Sequence, residues 1–213
     1  MKLTVFGATG GIGGLVVAQA LDAGHHVTAV VRDPTRLGLL GRPGLEVVTV
    51  PGLTDPELLR PALGGSQAVI SGVGPRSRKD VSVASSATRG ILRAMQADGV
   101  RRLVAVSAVP VGPVPDGESF VNRRILLPMI GALLRPVYAD LAVMEDEIRR
   151  SGTEWTIVRP PKLVNRPLTG RYRTVIGGNV PRGYAISRAD TAHAILAMVD
   201  DPATIGQAVG IAN

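Results

Sequence analysis

The residues with the clearest chemical potential are the glycines of a turn near the start of the sequence. The turn reads G-A-T-G-G-I-G-G over residues 7–14, between an apolar run at 2–6 and apolar residues at helical spacing over 15–23. Gly7 would let the chain turn sharply, Gly10 would leave room for a pyrophosphate, and Gly13 would let the helix lie close to the sheet. Free amides and the dipole at the helix start favour an anion. The spacing G-x-x-G-x-x-G differs from the G-x-G-x-x-G of many dehydrogenases, but its place between strand and helix predicts a dinucleotide site.

A charged candidate follows the second predicted strand, at 26–31. An acidic residue at the end of this strand would bind the ribose 2′-hydroxyl of NAD, but the chain has Arg32 there and Asp33 one position later. A guanidinium suits a 2′-phosphate, and Arg36 could add a second positive charge. Such a charge-assisted hydrogen bond is worth roughly 1.5–3 kcal/mol, about ten- to a hundredfold in affinity. We therefore expect NADP(H) as the cofactor, the alternative being that Arg32 is a solvated surface charge.

Composition limits the remaining possibilities. The chain has 213 residues, a length typical of a single domain over 1–213. It has no cysteine, which excludes disulfides, thiol catalysis and cysteine-ligated metals, and its three histidines lack the spacing of a helical metal site. The net charge of +7 would allow nucleic-acid binding, but aromatic residues make up only 3%, so we expect no nucleic-acid partner. No apolar stretch has the length of a transmembrane helix and no signal peptide is evident, so we expect a cytoplasmic protein.

The rest of the chain alternates between strand and helix patterns. This alternation predicts an α/β fold, a Rossmann-like doubly wound parallel sheet with helices on both faces. Further strands are predicted at 45–50, 68–70, 102–106, 153–158 and 207–211, and further helices at 55–63, 81–98, 137–150 and 187–199. We expect a loop and short hairpin at 165–178, and 207–211 as an edge strand. Because ligands lie off the carboxyl ends of the strands, the small-residue turn at 71–76 should border the cofactor.

An apolar segment at 120–134 breaks this regular pattern. It is interrupted by Pro128 and Gly131 and flanked by arginines. It could be part of a lid or a dimer contact spanning 109–136, a surface segment resting on a membrane, or ordinary core. The protein would then be a monomer or a homodimer.

Three stretches resemble motifs of the atypical short-chain dehydrogenase/reductases with an NmrA-like NAD(P)-binding fold. They are G-A-T-G-G-I-G at 7–13, V-R-D-P-T-R-L at 31–37 and S-G-T-E-W-T-I-V-R-P-P-K-L at 151–163. Within this family the chain is most similar to the biliverdin-IXβ reductase/flavin reductase group, through R-P-L-T-G-R-Y at 166–172. The resemblance covers nearly the whole chain. It implies NADPH-dependent hydride transfer to a small-molecule acceptor: a flavin, a tetrapyrrole or another flat conjugated or carbonyl compound.

The resemblance also implies roles for individual residues. The 2′-phosphate would be held by Arg32 with help from Arg36, and Ser107 would lie near the nicotinamide at the end of the fifth strand. Gly74 and Arg76 would lie beside the ribose and nicotinamide end of the cofactor. The pyrophosphate would be held by residues of the first turn: Gly7, Thr9, Gly10, Gly11, Ile12 and Gly13.

The catalytic residues are less well defined, because the chain departs from the family here. Lys162 stands where biliverdin-IXβ reductases have histidine, and Tyr138 is followed four residues later by Ala142 rather than by the lysine of a Tyr-x-x-x-Lys motif. Ser107 could donate a hydrogen bond to a carbonyl or cap a strand end. Lys162 could stabilise negative charge on the acceptor or be a surface lysine, and Tyr138 could be an acid or a packing residue. A non-catalytic NADP(H)-sensing regulator is therefore an alternative, and an isomerase or dehydratase a weaker one.

Overall fold

The computed structural model describes residues 1–75, 81–113 and 135–213. The strands in these ranges are β1 (Lys2–Phe6), β2 (His26–Val31), β3 (Leu45–Thr49), β4 (Ala68–Ser71), β5 (Arg102–Val106), β6 (Glu154–Arg159), β7 (Lys162–Val164), β8 (Arg173–Ile176), β9 (Ala185–Ser187) and β10 (Gln207–Ala212). The α-helices are α1 (Gly13–Asp22), α2 (Pro56–Leu59), α3 (Val83–Asp98), α4 (Arg135–Arg150) and α5 (Arg188–Val199).

An eight-stranded sheet forms the centre, in the order β3-β2-β1-β4-β5-β6-β10-β8. Its neighbouring strands run parallel except for β8, which is antiparallel to β10. β7 and β9 form a separate parallel pair. The order of the chain reverses at β1, which has β2 on one side and β4 on the other, as in doubly wound sheets. The predicted Rossmann-like fold is confirmed.

The helices cover both faces of this sheet. On one face, Val16 and Val17 of α1 and Ile195 of α5 share a core cluster with side chains from the strands. On the other face, a second cluster joins α2, α3 and α4 to the alternate side chains of those strands. β1 shows the alternation directly, since Val5 belongs to the first cluster and Phe6 to the second.

Two predictions at the carboxyl-terminal side of the sheet are wrong. β10 is not an edge strand, because β8 pairs along its outer side and takes the edge position itself. The segment 165–178 does not form a hairpin, because β8 pairs with β10 rather than with an adjacent strand. The predicted helix at 55–63 also divides into α2 and a 3₁₀ turn, Arg60–Leu63, at a point where Pro61 supplies no amide hydrogen.

Arg76 and the apolar segment 120–134 lie outside the described residues, so the expectations for them stay predictions. On the two sides of that segment, Val109–Val111 forms a 3₁₀ turn and α4 is described over Arg135–Arg150. No helix within the described ranges is both long enough and apolar enough to cross a membrane.

Candidate functional site

The glycine-rich turn after β1 has room for glycine alone at two positions. Gly7 has φ +76°, and a Cβ there would lie 2.7 Å from the carbonyl carbon and oxygen of Gly72. At Gly13 a Cβ would lie 2.2 Å from the carbonyl oxygen of Gly7. Gly10 donates its amide to that same oxygen at 2.9 Å, which closes the turn. The close approach of α1 to the strand end therefore depends on the absence of these side chains.

The start of α1 is left open for an anion. Its N-cap residue is Ile12, which forms no side-chain cap, and the first turn contains no acidic residue. The other helices whose starts the structure describes with their preceding residues are capped. Asp55 caps α2 and Ser187 caps α5, while the Asp140 carboxylate accepts the amides of Ala84 and Ser85 at the start of α3. The Gly14 amide donates to the carbonyl oxygen of Gly10 at 2.9 Å. The amides before it at the helix start have no carbonyl of their own helix to bind, so these are the donors left for a ligand.

A cleft of about 510 Å³ opens above this turn. It lies beyond the carboxyl ends of β1, β2 and β4, where a doubly wound sheet places its ligand, and its volume is in the usual range for ligand pockets. Seven of the predicted cofactor residues line it: Gly7, Thr9, Gly10, Gly11, Ile12, Arg32 and Gly74. The structure therefore brings these residues together, although their contacts with a cofactor stay a prediction.

The chain after β2 presents one arginine to the cleft. Arg32 is exposed, lines the cleft and forms no salt bridge with an acidic residue of the described part of the chain. The Asp33 carboxylate is engaged locally, since it accepts the amide of Thr35 at 3.1 Å and the Thr35 hydroxyl at 2.6 Å. Arg36 lies on the 3₁₀ turn Pro34–Arg36, which follows Asp33, and it is exposed but does not line the cleft. A phosphate near the end of β2 would thus meet Arg32 first.

Ser107, at the end of β5, belongs to a buried charge network that the sequence analysis missed. Its hydroxyl donates to Oε1 of Glu145 at 2.6 Å, and Glu145 is completely buried. Arg159 donates from Nε to the same oxygen at 2.9 Å and from Nη2 to Oε2, and Arg149 also donates to Oε2. Burial raises the pKa of Glu145, but the hydrogen bonds from Arg159 and Ser107 and the nearby positive charges outweigh it, so its pKa is below the ordinary value.

The other two candidate catalytic residues do not line the cleft. Lys162 is exposed at the start of β7. Tyr138 is half-buried on α4, where it packs against the core cluster on the sheet face covered by α2, α3 and α4. Burial raises the pKa of its hydroxyl. Among the described residues the structure therefore does not bring Ser107, Tyr138 and Lys162 together beside the glycine-rich turn, and their catalytic roles stay predictions.

The cleft lining also contains an arginine, beside the glycine-rich turn, that sequence reasoning missed. Arg188 is the first residue of α5, and it lines the cleft together with Leu163. Its Nη1 donates to Oδ1 of Asn165 at 2.7 Å. A positive charge in the first turn of a helix opposes the helix dipole. This local mismatch, directly after the predicted cap at Ser187, is the signal that could have singled it out.

Besides the bond between Arg188 and Asn165, one carboxylate fastens the loop at 165–172 to the start of α5. The buried Asp190 accepts the amides of Thr169 and Gly170 at 2.8 and 2.9 Å, and the hydroxyls of Thr169 and Ser187. Burial raises the pKa of Asp190, but these hydrogen bonds together lower it below its ordinary value. The P-L-T-G sequence of this loop is therefore positioned by the last helix.

Two of the three histidines take part in contacts unrelated to metal binding. Nδ1 of His25 lies 3.2 Å from the amino-terminal nitrogen, and Nδ1 of His193 lies 2.8 Å from the Tyr172 hydroxyl. In the part of the chain that the structure describes, no three histidine, aspartate or glutamate side chains form a cluster suited to a metal ion.

The sheet order and the glycine-rich turn together define a Rossmann-like dinucleotide-binding protein. Residues 7–202 match the family model described as NAD(P)H-binding, which covers most of the chain. The chain belongs to this NAD(P)H-binding family.

Two curated relatives resemble the chain over most of its length. An uncharacterised chloroplastic protein of Arabidopsis thaliana is 34% identical over 176 residues, which are 79% of this chain and 61% of the relative. The (4-alkanoyl-5-oxo-2,5-dihydrofuran-3-yl)methyl phosphate reductase of Streptomyces griseus is 33% identical over 168 residues, which are 78% of this chain and 50% of the relative. The chain thus spans between half and two thirds of the length of these relatives.

Solved structures share the fold at lower identity. A short-chain dehydrogenase/reductase of Veillonella parvula in complex with NADP superposes with a TM-score of 0.83 at 19% identity, covering 100% of this chain and 94% of that one. ChuY, an anaerobillin reductase of Escherichia coli O157:H7, has a TM-score of 0.80 at 21% identity, covering 100% and 97%. At these identities the matches establish the common fold.

Proposed function

We propose that this protein is an NADPH-dependent reductase that transfers hydride to a flavin, a tetrapyrrole or another flat conjugated or carbonyl acceptor. The observation that carries the proposal is the cleft, in which the uncapped start of α1 and the charge of Arg32, which pairs with no acidic residue of the described ranges, are presented together. The first suits a diphosphate and the second a 2′-phosphate. The names of the Streptomyces griseus and Escherichia coli proteins, both reductases, support the class of reaction.

The residues present fit the cofactor that the family implies. A cradle without side chains at Gly7 and Gly13 meets helix amides that have no cap, and these amides would hold the diphosphate. Arg32, assisted by Arg36, would hold the 2′-phosphate, and Gly74 would lie beside the nicotinamide end. When bound, NADPH would supply the hydride that the acceptor receives.

The chemistry left to the chain is chiefly positioning. The Ser107 proton is committed to Glu145, whose lowered pKa keeps it ionised near neutral pH. Donating that proton to an acceptor would break a buried hydrogen bond, which is costly. Such a site suits acceptors such as flavins, for which orientation against the nicotinamide supplies much of the rate. Lys162 would stabilise negative charge on the acceptor from its exposed position.

The same proposal also assigns the protein to a narrower group within its family. The fastening of the P-L-T-G loop to Asp190 supports a relationship to the biliverdin-IXβ reductase/flavin reductase group of the NmrA-like proteins. We propose a cytoplasmic enzyme, monomeric or homodimeric. The alternative is an NmrA-like sensor of NADP(H) without catalysis. It is favoured by one observation: none of the three candidate catalytic residues lines the described cleft.

Turnover with a panel of acceptors tests the reductase against the sensor. Oxidation of NADPH is followed by absorbance with FMN, riboflavin, quinones and ketones, for the wild type, for Lys162→Ala and for Arg101→Ala. Arg101 is 73% exposed and precedes β5, at the opposite end of the strands from the cleft, so this variant controls for loss of one positive charge. The reductase predicts steady turnover that Lys162→Ala weakens and Arg101→Ala does not. Tight NADPH binding without turnover of any acceptor would favour the sensor.

Binding measurements test the cofactor preference separately. Arg32→Ala should weaken NADPH binding roughly ten- to a hundredfold while leaving NADH binding unchanged, because only NADPH carries the 2′-phosphate. An unchanged NADPH dissociation constant would contradict the assignment of Arg32.

A further inference from the structure

The backbone around Arg188 is fixed by both of its neighbours. Ser187 caps α5 by accepting the Asp190 amide at 2.8 Å. On the other side, Gln19 of α1 donates its side-chain amide to the carbonyl oxygen of Ala189 at 3.0 Å. The first turn of α5 is therefore tied directly to α1, the helix whose start forms the floor of the cleft.

The side chain of Arg188 extends from this fixed point over the glycine-rich turn. A Cβ at Gly11 would lie 3.0 Å from both Cδ and Nε of Arg188. Gly11, immediately before the N-cap of α1, thus leaves space for the Arg188 side chain. Neither Gly7 nor Gly13 has this relation to Arg188, since their near neighbours belong to the backbone of the turn and of residues 72–73.

The guanidinium of Arg188 has N–H donors that are not used in hydrogen bonds to the described residues. It forms no salt bridge with an acidic residue of the described ranges. Its one hydrogen bond to those residues uses Nη1, on the neutral Asn165 side chain. The remaining N–H donors are carried by a partly exposed side chain that lines the cleft. A planar guanidinium in this position is suited to phosphate oxygens.

We propose that Arg188 is a cofactor-binding residue that holds the diphosphate of NAD(P)H against the uncapped start of α1, with Asn165 as its positioning residue. The inference rests on the proposed function only in requiring that the dinucleotide binds in this cleft. The helix amides and the Arg188 guanidinium, whose Nε lies beside Gly11, would both donate to the diphosphate. The contact extends the proposed binding surface, because it adds an arginine that lies 156 positions after Arg32 in the sequence.

Three probes separate this role from that of Arg32. NADPH carries both the diphosphate and the 2′-phosphate, NADH carries the diphosphate alone, and adenosine 2′-phosphate carries the 2′-phosphate alone. Isothermal titration is performed with the wild type, Arg188→Ala, Arg32→Ala and the charge control Arg101→Ala. Arg188→Ala should weaken NADPH and NADH alike, by roughly ten- to a hundredfold, and leave adenosine 2′-phosphate unchanged. Arg32→Ala should weaken NADPH and adenosine 2′-phosphate but not NADH.

The outcomes that overturn the proposal are distinct. If Arg188→Ala binds NADPH and NADH as tightly as Arg101→Ala does, Arg188 does not hold the diphosphate. The same conclusion follows if Arg188→Ala raises only the KM of an anionic acceptor. If the wild type binds neither dinucleotide, the proposed function itself fails. Arg188→Lys, which keeps the charge but loses the planar fork, should fall between the wild type and Arg188→Ala, and thermal unfolding confirms that each variant is folded.

A double-mutant cycle tests the contact with the glycine. In the wild-type background Gly11→Ala should weaken NADH binding, because the new Cβ displaces Arg188. In the Arg188→Ala background the same substitution should have little further effect, since the displaced side chain is already absent. Fully additive losses would refute the link between Gly11 and Arg188.

Discussion

Replacement of Glu145 by glutamine tests whether the buried charge network holds α4 to the end of the sheet. Glu145 has no exposed surface and accepts hydrogen bonds from Ser107, Arg159 and Arg149. Glutamine has nearly the same shape but no charge, and its amide group would face N–H donors. The 5% exposed Arg159 side chain would then be a buried charge without its counterion.

The size of the effect follows from this burial. Removing one partner of a buried ion pair costs roughly 3–5 kcal/mol. In a protein of this size each kcal/mol lowers Tm by about 2–4 °C. Glu145→Gln should therefore unfold at a temperature lower by roughly 6–20 °C near neutral pH. A variant with leucine at both Glu145 and Arg159 should lose less, because it leaves no unpaired charge between these two positions.

The pH dependence gives a second measurement on the same variant. The pKa of Glu145 is lower in the folded protein than its unfolded value of about 4.3. Its stabilisation is therefore fully present above the unfolded pKa and is lost as pH falls through the folded pKa. Differential scanning calorimetry from about pH 8 to about pH 3 should show the gap between wild type and Glu145→Gln narrowing only at the acidic end.

Two results would refute this reasoning. A Tm for Glu145→Gln within about 2 °C of the wild type at neutral pH would show that the network contributes little to stability. A gap that widened as pH fell would contradict the lowered pKa, because protonation of Glu145 should make the two proteins more alike.

Two further predictions concern the cleft and its surrounding loop. Gly13→Ala should destabilise the fold by roughly 1–3 kcal/mol and weaken NADPH binding, because its Cβ would lie 2.2 Å from the Gly7 carbonyl oxygen. Denaturant titration measures the loss of stability, with Gly52→Ala as the control, because a Cβ at Gly52 would have no neighbour within 4 Å. Asp190→Asn should cost roughly 1–3 kcal/mol, since an amide cannot accept all the hydrogen bonds from Thr169 and its neighbours. Limited proteolysis should then cut the loop at 165–172 faster than in the wild type, and equal cutting rates would contradict the fastening role.

Much of the fold could be predicted because its signals are local. The apolar runs at 2–6, 26–31 and 102–106 are β1, β2 and β5 with the same bounds. The pairing of β8 could not be predicted, since the partner of a four-residue strand lies more than thirty positions away. The burial of β10 did have a signal. Its run A-V-G-I-A lacks alternation, which is typical of a strand covered on both faces.

The site shows the same division between local and distant signals. The glycine-rich turn is contiguous, so the spacing of its residues was sufficient to predict the lining of one side of the cleft. Apart from Arg149 on the next turn of the same helix, the residues that donate to Glu145 lie 38 positions before and 14 positions after it, and no sequence pattern links them to it. The position of Arg188 beside Gly11 likewise could not be predicted, because it results from the packing of α5 on α1.

The single pairing of β8 makes it the first strand to open on its side of the sheet, as β3, paired with β2 alone, is on the other. β10 is held by β6 on one side and β8 on the other, whereas β8 is joined to the sheet through β10 alone. Any opening that releases β10 must therefore also release β8, but β8 can detach by itself. On this side of the sheet local opening therefore begins at β8 and proceeds inward, so the backbone amides of β8 exchange with solvent at least as fast as those of β10.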